Sequence, residues 1–258
     1  MIRIFFRVFL MLIWVVASVI VSEIFVGRIM LCFMDVETFS EPVWSAIYSA
    51  LSYILAMVLI IFVPPKILAR HSKNDAKHSD RKKDNYRRNL PTRNELGLSS
   101  LPTWVDIGLA PVGFVVSLLF AAALVALFSI FPWFDAAEAQ EVGFSIYITG
   151  TDRIIAFITL VVVAPIAEEI IFRGWLYAKI RNCLSEKLPE IASMLISIFL
   201  VSLLFGIIHL QWNVGVNVFA LSVVLRGLRE VTGTIYAGIL THMIKNGVAF
   251  YLLYVLGI

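Results

Sequence analysis

About seven stretches of this chain are apolar for long enough, or nearly long enough, to cross a lipid bilayer. They run over residues 4–26, 44–63, 107–131, 154–177, 191–210, 217–225 and 234–256. A spanning helix needs about 20 consecutive apolar residues. Lipid offers the backbone no hydrogen-bond partners, so a spanning segment must satisfy its N–H and C=O groups internally, as a helix does. These runs are too long for β-strands, and together they predict an all-α fold: a polytopic transmembrane helix bundle.

Composition rules out the competing picture of a soluble protein with a large core. The chain has 258 residues, 60% of them hydrophobic and only 15% charged, with a mean hydropathy of +0.90. A soluble domain carries about 25% charged residues. The net charge of +3 hides one concentrated feature: between Lys66 and Arg93 lie ten Lys or Arg and three Asp. Beside a membrane span such a run reads as a cytoplasmic loop obeying the positive-inside bias, in contact with anionic membrane lipids rather than nucleic acid.

Placing that loop inside fixes the rest by alternation. The N-terminus is then cytoplasmic, and the 27–43 and 132–152 connections, which hold acidic residues such as Asp35, Glu37 and Asp135, face outward. The expected layout is a pair of helices over 1–64, the basic loop over 65–103 and a helical core over 104–258. Pro64-Pro65 is expected to end the second segment. Arg3 and Arg7 before an apolar run resemble a signal peptide, but the run is longer than a signal's apolar region, so an uncleaved first span is expected. Cys32 and Cys183 fall on opposite sides and show no metal-binding spacing.

The sixth segment is the odd one. A helix over 217–229 would cover only ~20 Å, short of the ~30 Å hydrocarbon layer. The sequence therefore predicts a short or re-entrant element, with residues 211–215 turning within the membrane's depth beside a wet cavity.

Three polar signatures interrupt these apolar runs. Ionisable groups at membrane depth are costly and mark function or obligatory pairing. Glu168 and Glu169 are adjacent and point about 100° apart on a helix. Arg173 lies four residues after Glu169, the favourable direction for an i,i+4 pair. Glu169 is thus the better structural partner, and Glu168 is left to face a cavity as a general base. Phe205 precedes His209 by four residues, and Asn246 follows His242 by four. His242 and Asn246 could donate to one developing oxyanion, with His209 holding the water. Counted up from the inner loops, Glu168, His209 and His242 reach similar depths, on the order of 17–22 Å. Two imidazoles and a carboxylate are also a catalytic zinc set, so a divalent metal on Glu168, His209 and His242 stays open, although no HExxH spacing is present.

Residues 168–177, Glu-Glu-Ile-Ile-Phe-Arg-Gly-Trp-Leu-Tyr, resemble the EExxxR motif of the CAAX protease and bacteriocin-processing (CPBP, or Abi) family of intramembrane endopeptidases. Phe205 to His209 matches its FxxxH motif, and His242 to Asn246 its HxxxN motif, in the same order. The resemblance covers roughly residues 107–256. It implies a membrane-embedded helical bundle that hydrolyses peptide bonds, with Glu168 and His209 activating water and His242 and Asn246 stabilising the oxyanion. It also implies a peptide or protein substrate, lipidated in some members, and a place in the bacterial inner membrane. Two rivals use the same atoms: a non-catalytic scaffold or immunity protein that keeps the site as polar glue, and a transporter with a proton relay. No inverted repeat of the kind many transporters carry is evident.

Overall fold

The computed structural model describes residues 2–39, 41–71, 90–137, 148 and 150–257. Most of the basic run (72–89) and of the 132–152 connection (138–147 and 149) lies outside the described residues. The regular structure is helical: α1 (Ile2–Leu31), α2 (Val36–Phe39), α3 (Pro42–His71), α4 (Trp104–Phe128), α5 (Gly150–Ser185), α6 (Glu190–Ile207), α7 (Trp212–Thr232) and α8 (Tyr236–Leu256). Among the described residues six helices, α1, α3 as far as Pro64, α4, α5, α6 and α8, are long and apolar enough to cross a membrane. This is a multi-pass helical bundle.

Its packing is inside-out relative to a water-soluble protein. Phe5, Phe6, Phe9, Val115, Leu119 and Phe199 are exposed, while Ser18, Ser22, Ser117, Ser197 and Ser202 are buried. Lipid tails are as apolar as leucine, so nothing drives large apolar side chains inward. Small residues let helices approach, and the hydroxyls of Ser22, Ser117 and Ser197 find backbone acceptors. Ser197 Oγ, for example, donates to the Ser193 carbonyl at 2.6 Å. A Cβ on Gly206 of α6 would lie 2.8 Å from the Gly215 carbonyl oxygen of α7. One on Gly113 of α4 would lie 2.8 Å from Leu228 and 2.9 Å from Thr241. These close approaches fix where α4, α6, α7 and α8 cross.

Two expectations change. Pro64-Pro65 does not stop α3, which runs on to His71. Proline removes a backbone donor, and here the loss falls near the end of a 30-residue helix. The sixth element is not short: α7 has 21 residues, about 31 Å of helix, and residues 212–215 belong to it. Trp212, at its start, packs edge-to-face on Trp133 just beyond α4, with centroids 5.4 Å apart. Aromatic residues gather at membrane–water interfaces. The α6–α7 turn therefore sits level with the end of α4, not at mid-membrane. Asn217 bonds within this helix, Arg229 and Glu230 bond to neighbouring segments, and Arg226 stacks on Tyr177, so the helix carries its polar residues without unwinding.

Polar bonds close one end of the bundle. Thr103 caps α4 with a reciprocal Asp106 contact, and Asp106 also accepts a bond from Thr234 Oγ1 at 2.9 Å. Arg229 donates to the backbone carbonyls of Gly174 and Glu95. Tyr177 and Arg181 both donate to Glu230, at 2.6 and 3.0 Å. Burial pushes the Glu95 carboxyl up, but the Thr92 backbone N–H and the Lys179 ammonium hold it below its usual value.

Gly206→Ala forces its methyl against the Gly215 carbonyl and should cost about 1–3 kcal/mol, as overpacking does. Gly227→Ala meets nothing within 4 Å and should stay within about 0.5 kcal/mol of wild type. Denaturant titration of helicity in micelles checks both.

Candidate active site

Helix α5 is irregular where its chemistry lies. It changes to the wider π form over Ile158–Val163, returns to α over Ala164–Glu168, and is π again over Glu169–Leu176. Short π segments inside α-helices are frequent at functional sites. The second change falls between the two glutamates. Glu169 and Arg173 point into the bundle with 0% side-chain exposure, and their ion pair measures 3.2 Å. Glu168 keeps 16% exposure. The two carboxylates thus diverge as their spacing predicts: one is sealed in a salt bridge, the other is reachable.

Helix α8 brings His242 between them. Its Nδ1 lies 3.2 Å from Glu169 Oε1 and its Nε2 lies 3.8 Å from Glu168 Oε2. An ionised carboxylate only accepts hydrogen bonds, so Nδ1 carries the proton shared with Glu169. Arg173, Glu169 and His242 form one buried chain of charge. The Arg173 guanidinium also stacks 4.2 Å from the centre of the Phe205 ring. That ring meets His209 edge-on at 5.0 Å and His242 at 6.2 Å. Phe205 is therefore the hinge between the acidic pair and both imidazoles. A Cβ on Gly238 would lie 3.1 Å from Glu169 Oε2, so glycine is what lets α8 come this close.

His209 lies in the turn after α6 rather than on the helix, and its Nδ1 sits 2.7 Å from the Phe205 carbonyl. A carbonyl cannot donate, so Nδ1 is protonated and Nε2 of the neutral ring keeps its lone pair. Glu168 and His242 are both within electrostatic reach of that ring. Asn246 is placed differently from the sequence expectation. Its Nδ2 donates to the Leu160 carbonyl at 2.9 Å, in the first π segment of α5, so one of its two N–H groups is committed to the backbone.

One contributor was missed. Tyr53 of α3 donates its hydroxyl to Glu168 Oε1 at 2.8 Å. A tyrosine in the middle of an apolar helix was the available signal, since a buried phenol seeks a partner. Its sequence distance from the motifs concealed which partner.

The metal set expected from the sequence is Glu168, His209 and His242. Among the described residues no three His, Cys, Asp or Glu side chains are arranged to share an ion. Glu168 Oε2 and His242 Nε2 face each other at 3.8 Å, and no third side chain of that kind is arranged beside them. In this arrangement the residues do not fit a zinc ion, and no chemical step is routed through one.

Residues 150–248 match the family model of type II CAAX prenyl endopeptidase, Rce1-like. No curated protein and no solved structure matches the chain. The helical bundle and the family match together support an intramembrane endopeptidase in general terms. Residues 150–248 are similar to Rce1-like domains, which is consistent with the CAAX protease and bacteriocin-processing family.

Replacing Arg173 by Met strands Glu169 without its cation. Breaking a buried pair in this way costs about 3–5 kcal/mol. The loss should appear as a lower unfolding midpoint in micelles, and an unchanged midpoint would contradict the buried-chain description.

Proposed function

We propose that the protein hydrolyses a peptide bond of a membrane-associated protein or peptide with water activated by Glu168 and His209. The observation that carries this reading is the state of Glu168. It is the one reachable carboxylate of the pair, held at Oε1 by Tyr53 and faced at Oε2 by His242. Glu168 takes a proton from water as the oxygen adds to the substrate carbonyl carbon. His209 Nε2, with its lone pair free, orients that water. The new oxyanion is met by the second N–H of Asn246 and by His242 Nε2–H, the ring entering the cycle with both nitrogens protonated and leaving it unchanged. Collapse of the tetrahedral species breaks the C–N bond, and Glu168 returns its proton to the leaving amine.

The same proposal covers the rest of the assignment. Residues 104–258 would form the protease core, with the 1–64 pair contributing Tyr53 and the 65–103 loop facing the cytoplasm together with the N-terminus. The membrane is the bacterial inner membrane, and the substrate class includes lipidated polypeptides. One observation favours a non-catalytic alternative, a scaffold or immunity protein: His242 and Asn246 both serve in helix–helix hydrogen bonds.

Peptides released by proteoliposomes of wild-type and Glu168→Ala protein, compared by mass spectrometry, separate the two. Loss of every wild-type cleavage in a folded Glu168→Ala variant supports catalysis; full activity removes the general base. Tyr53→Phe should lower turnover roughly 3- to 10-fold, the loss of about one hydrogen bond to a charged group. Prolonged chelation should leave turnover unchanged, and loss restored by zinc would move the water onto a metal.

A further inference from the structure

Arg226 has no role in anything described so far, and its position needs one. It lies on α7 with 0% exposure. Its Nε, Nη1 and Nη2 have no hydrogen-bond partner among the described residues. The guanidinium lies 4.8 Å from the centre of the Tyr177 ring, a contact that compensates the charge only in part. A cation sealed from water with three donors unused is costly, and such groups ordinarily meet an ordered water.

The complementary orphan is close by. Glu169 Oε2 is buried and has no hydrogen-bond partner, while Oε1 is the oxygen that meets both Arg173 and His242. The two sites are linked through Gly238: a Cβ there would lie 3.1 Å from Glu169 Oε2 and 3.8 Å from Leu225 Cβ, the residue before Arg226. The charged groups around this point are Glu169 and Arg173 on α5, His242 on α8, and Arg226 and Arg229 on α7. Arg229 is already committed to two backbone carbonyls. Arg173 Nε, Nη1 and Nη2 are also without a hydrogen-bond partner among the described residues, but Arg173 already faces Glu169 Oε1; Arg226 is the unused donor set that α7 brings to this region.

We propose that Arg226 and Glu169 Oε2 share an internal water site, which makes Arg226 a positioning residue for the Glu169–His242 hydrogen bond. The inference rests on the hydrolase reading only for its effect on turnover. A carboxylate bound through Oε1 alone can pivot about its Cγ–Cδ bond. Anchoring Oε2 from α7 stops that rotation and keeps His242 Nε2 aimed at Glu168.

The test uses full-length protein in nanodiscs with 15N-labelled histidine, the His242 signal being assigned by its loss in His242→Gln. Wild type should show a slowly exchanging Nδ1–H proton on His242. In Arg226→Met and in the polar but neutral Arg226→Gln that proton should exchange about 10-fold faster, equivalent to ~1.4 kcal/mol. Arg226→Lys, which keeps the charge, should stay near the wild-type rate. On a peptide that wild type cleaves, Arg226→Met should lower kcat roughly 10- to 100-fold with KM little changed, the scale of a misplaced site. It should add nothing in a Glu169→Gln background. Wild-type exchange in either neutral variant that retains its helicity, a Lys variant as fast as Met, or additive losses with Glu169→Gln would each overturn the proposal. If Glu168→Ala still cleaves, the hydrolase reading falls, while the exchange measurement still decides the role of Arg226.

Discussion

The Glu169 carboxylate, buried between Arg173 and His242, is the constraint on which the rest of the site depends. Bulk solvent does not reach it, so its charge must be met inside the bundle. Arg173 meets it from the same helix at 3.2 Å, and His242 meets it from α8 at the same distance. Removing either partner would leave a charge in a medium that cannot solvate it. The pairing therefore fixes α8 against α5. The same contact settles which imidazole nitrogen is protonated, and so which one is turned to Glu168.

Helix packing serves that contact. Gly238 lets α8 come within reach of Glu169, and the π segments of α5 change its phase on either side of Glu168. Phe205 carries Arg173 on its face and both imidazoles at its rim. One aromatic ring thus couples α6 to the acidic pair without a hydrogen bond of its own. The outcome is two adjacent carboxylates with different surroundings: one held by a guanidinium and an imidazole, the other held by a phenol and reachable. Surroundings that differ this much between neighbouring acids are how a site obtains separate roles from identical groups.

Much of this was legible beforehand because it is local. The membrane spans follow from the length of apolar runs, since lipid allows little besides helices. The division between Glu168 and Glu169 follows from a four-residue spacing to Arg173. The three motifs name the polar groups of the site. What failed was non-local. α7 looked too short because residues 211–215 were read as a turn and the helix as ending at Arg229, whereas Tyr177, Arg181, Gly174 and Glu95 hold Arg229 and Glu230 from elsewhere along the chain. The bond from one Asn246 N–H to Leu160 was hidden as well, because Leu160 has no polar side chain to betray the contact.

Sequence alone determined that this chain lies in a membrane as helices, and which few ionisable side chains are placed there at a cost. It could do so because hydrophobic length and i,i+4 spacing are properties of a single segment. Tertiary structure decided which atom each of those side chains meets: Tyr53 on Glu168, His242 between two acids, Phe205 under Arg173. Those partners come from different helices, 32 to 115 residues apart along the chain. Only the approach of helix backbones, set by glycines and serines with no chemistry of their own, brings them within hydrogen-bonding or stacking distance.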